Sequence, residues 1–135
     1  MVEDSSLNAG SARHIVAAVD DDFRVRESIE SLVASAGHTP LVFASAEEFL
    51  QSDAPASAIC LITDVRMPGI DGLELQRRVR LAYPRLPVIF ITAHYDDDTR
   101  KRALSQGAAG FLHKPFDAAD LLGAIELVLT TLPEG

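Results

Sequence analysis

The chain has 135 residues, 47% of them hydrophobic, and a formal net charge of −8 from 20 acidic and 12 basic residues. That length suits one domain around one core, and the charge argues against a general grip on DNA or anionic lipid, which needs clustered Lys and Arg. With no leader-like segment and no apolar run near the ~18 residues of a membrane span, a soluble cytoplasmic protein is expected, with Cys60, the only cysteine, as a buried thiol in a reducing compartment.

Residues 1–12 are small and polar without periodicity and read as a flexible tail before a domain spanning 13–132. "HIVAAV" (14–19) is a first strand that runs into Asp20, Asp21 and Asp22. Val25, Ile29, Leu32, Val33 and Ala36 then recur at helical spacing, with Asp22 as cap and Gly37 as stop. "PLVFA" (40–44) is a second strand, Ser45 and Glu48 form a capping box for a short helix, and "SDAPAS" reads as a loop. "AICLIT" (58–63) is a third strand with Asp64 at its tip, followed by a helix over 72–82. Strands at 87–92 and 109–113 alternate with helices over 97–106 and 118–130, the last capped by Asp117.

Strict alternation with helix-length crossovers predicts an α/β domain, a parallel sheet covered on both faces. Right-handed crossovers put every strand's carboxyl end on one edge, where ligands bind in such folds. Asp20, Asp21, Asp64, Thr92 and Lys114 all fall on that edge. Clustered carboxylates repel one another, and a hard divalent cation with oxygen ligands relieves this; Mg2+ fits, Mn2+ can substitute, and a backbone carbonyl after Asp64 can add an oxygen. A phosphoryl group fits beside such a cation and the Lys114 ammonium, with Thr92 as hydroxyl donor. Asp64 is the best nucleophile, because Asp20 and Asp21 are adjacent and suited to sharing a metal.

Taken together, "VDDD", "TDVRMPGIDGLEL", "FITAH" and "GAAGFLHKPF" resemble response regulator receiver domains of two-component signalling across residues 14–130. The subgroup most like it is that of the nitrogen-fixation regulators, whose receivers usually precede a LuxR-type helix-turn-helix. The resemblance implies a flavodoxin-like doubly wound (βα)5 domain with strand order 2-1-3-4-5. It implies Asp64 as phosphoacceptor, Asp21 as direct metal ligand, Asp20 acting partly through water, and the Arg66 backbone oxygen completing the metal site. Thr92 and Lys114 would bind the phosphoryl group, Phe111 would be the aromatic switch, and the Lys114–Pro115 bond would commonly be cis. Arg66 and His94, two residues after Asp64 and Thr92, match positions that flank the phosphoryl group in such receivers, which implies that they tune its hydrolysis.

The implied partners are a sensor histidine kinase and a downstream protein or an output domain, with a phosphorylation-dependent homodimer as a further expectation. With no output domain in the sequence, no direct nucleic-acid contact and no membrane contact are expected. The chain is expected to be a switch rather than an enzyme, with at most slow self-phosphorylation and self-dephosphorylation. Tyr95 stands where the subgroup often has glycine and is expected to stiffen the loop after Thr92. A haloacid-dehalogenase-like phosphatase would carry a second acid two residues after its nucleophile, and that position is Arg66. A flavodoxin-like cofactor binder would need a phosphate-cradling loop after the first strand, and none is Gly-rich. A receiver acting by unphosphorylated contact is the remaining alternative. His14, His38, His94 and His113 lack metal-ligand spacing and read as surface or strand-end residues.

Overall fold

The computed structural model describes residues 14–131, so the tail expected over 1–12 lies outside the described residues. Five strands alternate with five helices: β1 Ile15–Val19, α1 Phe23–Ser35, β2 Thr39–Phe43, α2 Ala46–Gln51, β3 Cys60–Asp64, α3 Gly72–Ala82, β4 Val88–Thr92, α4 Asp97–Ser105, β5 Gly110–His113 and α5 Ala118–Thr130. All strand pairs are parallel, in the order β2-β1-β3-β4-β5. The expected fold is therefore the observed one.

Alternation along each strand divides the core into two layers, because successive side chains point to opposite faces. Ala17, Val19, Leu61 and Phe90 pack with Phe49 of α2, Leu75 and Val79 of α3 and Ala103 of α4. Val16, Ala18, Ile62, Ile89 and Ile91 pack on the other face with Ile29 and Val33 of α1 and Leu121, Ile125 and Val128 of α5. The central strands β3 and β4 are buried along their whole length, whereas the edge strands β2 and β5 are mostly half-buried. Each fully buried Ile, Leu or Phe in these layers contributes about 1.5–3 kcal/mol relative to an exposed side chain. This two-sided apolar cover makes a rigid platform for the strand ends.

Local signals account for most boundaries. The Asp22 side chain accepts from the Arg24 amide and starts α1; the Ser45 hydroxyl accepts from the Glu48 amide and starts α2. Glu48 Oε1 reaches back past the cap residue and accepts from the Ala44 amide at 3.2 Å, so only the Ser45 half of the expected capping box forms in its standard pairing. Three expectations need correction. The segment read as the loop "SDAPAS" contains one helical turn, Ala54–Ser57, because Ala54 and Pro55 are buried and Pro is tolerated in a first turn. Asp117 sits at the cap position of α5 without a side-chain capping bond. Of the two alternatives for His38, strand end holds and surface does not: it is buried just before β2, with its ring 5.6 Å from that of His14.

Candidate functional site

The end of β1 delivers two adjacent acids into opposite environments. Asp20 is fully buried, and every polar group it carries has a partner. Its amide donates to the Phe43 carbonyl of β2, and its carbonyl accepts from Arg26 Nη1 at 2.8 Å. Its carboxylate accepts from the Asp22 amide at 2.9 Å and from Lys114 Nζ at 2.9 Å. Burial raises the Asp20 pKa, against the lowering effect of the Lys114 and Asp22 hydrogen bonds. Asp21 is exposed. That contrast makes Asp20 the organiser of the loop and leaves Asp21 open to a ligand from solvent.

Asp64 is the last residue of β3 rather than the residue beyond it, and its register partner on β4 is Ile91. It is buried, at 8% exposure, with one carboxylate oxygen 3.0 Å from Lys114 Nζ and the other accepting a long 3.4 Å bond from the Arg66 amide. The turn that follows depends on Gly72, whose amide donates to the Val65 carbonyl at 2.8 Å. A Cβ on Gly72 would run into the Asp64 carbonyl oxygen and come within 2.9 Å of Val65 Cα. A side chain there is therefore incompatible with the path that aims Asp64 at the edge. From α2, Glu47 braces the same turn by accepting from the Ile70 amide at 3.3 Å.

Lys114 lies between Asp20 and Asp64, and the peptide bond to Pro115 is cis, as the resemblance implied. Burial pulls the Lys114 pKa down, but the hydrogen bonds and charges of the two acids outweigh it and hold the pKa above 10.5. The Lys114 amide also donates to the Thr92 carbonyl at 2.7 Å, which ties β5 to β4 at the site. Thr92 is buried, and its hydroxyl engages its own loop, accepting from the His94 amide at 3.0 Å and donating to the His94 carbonyl at 3.2 Å. Phe111 is half-buried, with its ring 6.0 Å from Phe90 and 6.2 Å from the exposed Tyr95. The side chains of Arg66 and His94 are exposed.

Asp20, Asp21 and Asp64 each offer an oxygen, and these atoms lie within 4.8 Å of one another. An all-oxygen carboxylate set is the donor chemistry of a hard divalent cation, so the residues fit Mg2+. The acids and Lys114, drawn from β1, β3 and the end of β5, thus meet in one pocket, with Thr92 on the intervening strand. Residues 16–126 match the family model of the response regulator receiver domain. The chain belongs to that family.

Similar receivers are carried by known regulators. The chain is 42% identical over 115 residues to nodulation protein W of Bradyrhizobium diazoefficiens, covering 85% of this chain and 51% of that protein. It is 39% identical over 122 residues to the DNA-binding transcriptional regulator NtrC of Escherichia coli K12, covering 90% of this chain and 26% of that one. The chain thus spans about half, or less, of the curated relatives it matches. The solved structure of FixJ-N superposes with a TM-score of 0.80 at 34% identity, covering 90% of this chain and 98% of that one. The likeness to nitrogen-fixation-type receivers therefore holds, and nothing in the fold or the matches favours a phosphatase. Some structural supports escaped the sequence reading. Gly72 reads in sequence only as a helix start, and no sequence signal points to Arg26.

Proposed function

We propose that this receiver accepts a phosphoryl group on Asp64 from a sensor histidine kinase in the cytoplasm and passes the change to a downstream partner or output domain. In that reaction an Asp64 carboxylate oxygen forms a bond to phosphorus as the P–N bond of the phosphohistidine breaks, and the imidazole leaves with the electron pair. Asp21, Asp64 and the Arg66 carbonyl would hold Mg2+, with Asp20 contributing through water. When bound, that ion neutralises charge on the phosphoryl oxygens and orients them for transfer. Lys114 neutralises the opposite side, and its ammonium is charged throughout the physiological range because its pKa is raised.

The acylphosphate then needs a hydroxyl donor, and Thr92 supplies it by leaving the His94 backbone. Loss of those local bonds frees the loop that carries Tyr95, and Phe111 moves with it. The repacked face of α4, β5 and α5 is where a partner, or a second copy of the chain, reads the state. Arg66 and His94, whose side chains are exposed, would set the access of hydrolytic water.

The observation that carries this reading is the meeting of Lys114 with Asp20 and Asp64 at 2.9 and 3.0 Å, beside the exposed Asp21. Incubation with a small acyl-phosphate donor and Mg2+ should add about 80 Da, one phosphoryl group, mapped to Asp64. D64N should abolish the adduct. An adduct elsewhere, or one independent of the cation, contradicts the assignment.

A further inference from the structure

The acidic loop is held from behind by a cation that the transfer reaction does not use. Arg26 is half-buried on α1, and its Nη1 donates to the Asp20 carbonyl, six residues back, at 2.8 Å. Its guanidinium carbon stands 5.7 Å from the centroid of the Phe23 ring, so an aromatic face supports the group and limits its freedom. We propose that Arg26 is a positioning residue of the cation site: by fixing the peptide between Asp20 and Asp21, it aims the Asp21 carboxylate. The inference rests on the reading of Asp20, Asp21 and Asp64 as that site.

The direction of Asp21 depends on what else holds it. Among the described residues, no hydrogen bond or ion pair restrains its side chain, so its direction follows from the backbone. The Asp20 carboxylate is anchored independently by Lys114 and the Asp22 amide. Removing Arg26 therefore loosens the peptide that leads into Asp21 while the Asp20 side chain stays in place. Orienting partners of this kind typically change metal affinity 10- to 100-fold. As a charge alone, Arg26 has the opposite effect, because a guanidinium near the site repels a divalent cation.

The two roles predict opposite signs, which makes the test decisive. Mn2+ binding to the full chain is measured by the loss of the free-ion EPR signal for wild type, R26M, F23A and D21N. R26M keeps most of the packing stem without charge or donor and should bind about tenfold more weakly. F23A alters an exposed side chain, keeps the Arg26 charge, and should weaken binding by about two- to fivefold. In the metal-free protein, the Asp22 amide of R26M, bonded to the Asp20 carboxylate, should exchange faster while those of α5 keep their wild-type rates. Equal or tighter binding by R26M, or wild-type binding by F23A, overturns the proposal. If R26M fails to unfold cooperatively, F23A and its amide exchange decide the matter. Absence of Mn2+ binding by wild type, or unchanged binding by D21N, overturns the metal-site reading itself.

Discussion

On the β1–β3 side of the site, Asp20 is sealed from solvent with a partner on every polar group, whereas on the β4–β5 side the Thr92 hydroxyl closes only on its own loop. Among the strands the contrast lies at the edge: β3 and β4 are buried throughout, and β5 is an edge strand with half-buried Gly110, Phe111 and Leu112. Its last residue, His113, is exposed, as is Tyr95 in the loop after β4. One half is built to hold acids in fixed directions. The other has local, partly solvated contacts that open at low cost, as elements that move must. Under the proposed function, the acids of the rigid half would take the phosphoryl group, Thr92 and Lys114 would bind it from the other side, and the loose half would carry the readout.

Removing the cation common to both halves should have the largest effect on stability. K114M leaves buried Asp20 facing Asp64 without a counter-charge and should cost on the order of 3 kcal/mol in metal-free buffer, the low end for a broken buried pair, measured by urea unfolding. The sign with pH is fixed by the raised Lys114 pKa. The clamp is fully present below pH 10.5 and is lost as pH rises through the higher folded value. The gap between wild type and K114M should therefore be flat near neutrality and narrow above pH 10.5.

Next is the turn behind Asp64. G72A puts a methyl group against backbone atoms that cannot step aside, so it should destabilise by about 2–3 kcal/mol and slow phosphorylation as Asp64 moves. A silent G72A would break the claim that this half is rigid. On the loose half, F111A should cost about 1–2 kcal/mol, below the 3–5 kcal/mol of a fully buried Phe, because the ring is half-buried. Its phosphorylation should persist while binding of the partner or second copy is lost. Equal stability losses from F111A and G72A would erase the contrast.

The smallest effect serves as a control away from both halves. Hydrogen bonds from Arg77 and Arg78 lower the Glu74 pKa to about 2. A depressed folded pKa stabilises above the unfolded value of 4.5 and loses that contribution as pH falls toward 2. E74Q should therefore differ slightly from wild type at neutral pH, and the difference should disappear by pH 2. Salt should shrink it as well, since these pairs are exposed.

Period and punctuation made most of the architecture legible. Apolar runs of five or six residues between capped helical segments identified every strand, and α3 and α5 fall on their expected spans. The helical turn at Ala54–Ser57 was hidden because its stabilisation comes from burying Ala54 and Pro55 against the core, a tertiary effect that overrides a loop-like composition. The strand-end position of His38 was legible, but its burial is likewise a tertiary effect.

The order of strand-end residues along the chain determined that Asp20, Asp21, Asp64, Thr92 and Lys114 share one edge, since alternation and crossover handedness leave no other arrangement. Only the tertiary structure decided how they differ there. Depth of burial separates Asp20 from its neighbour Asp21, and the cis turn sets Lys114 between two acids drawn from different strands. Close backbone approach gives Gly72 its role, and a guanidinium reaching back from α1 secures the acidic loop. Linear order specifies which groups can meet; desolvation and packing, which act through neighbours remote in sequence, determine what each becomes once they do.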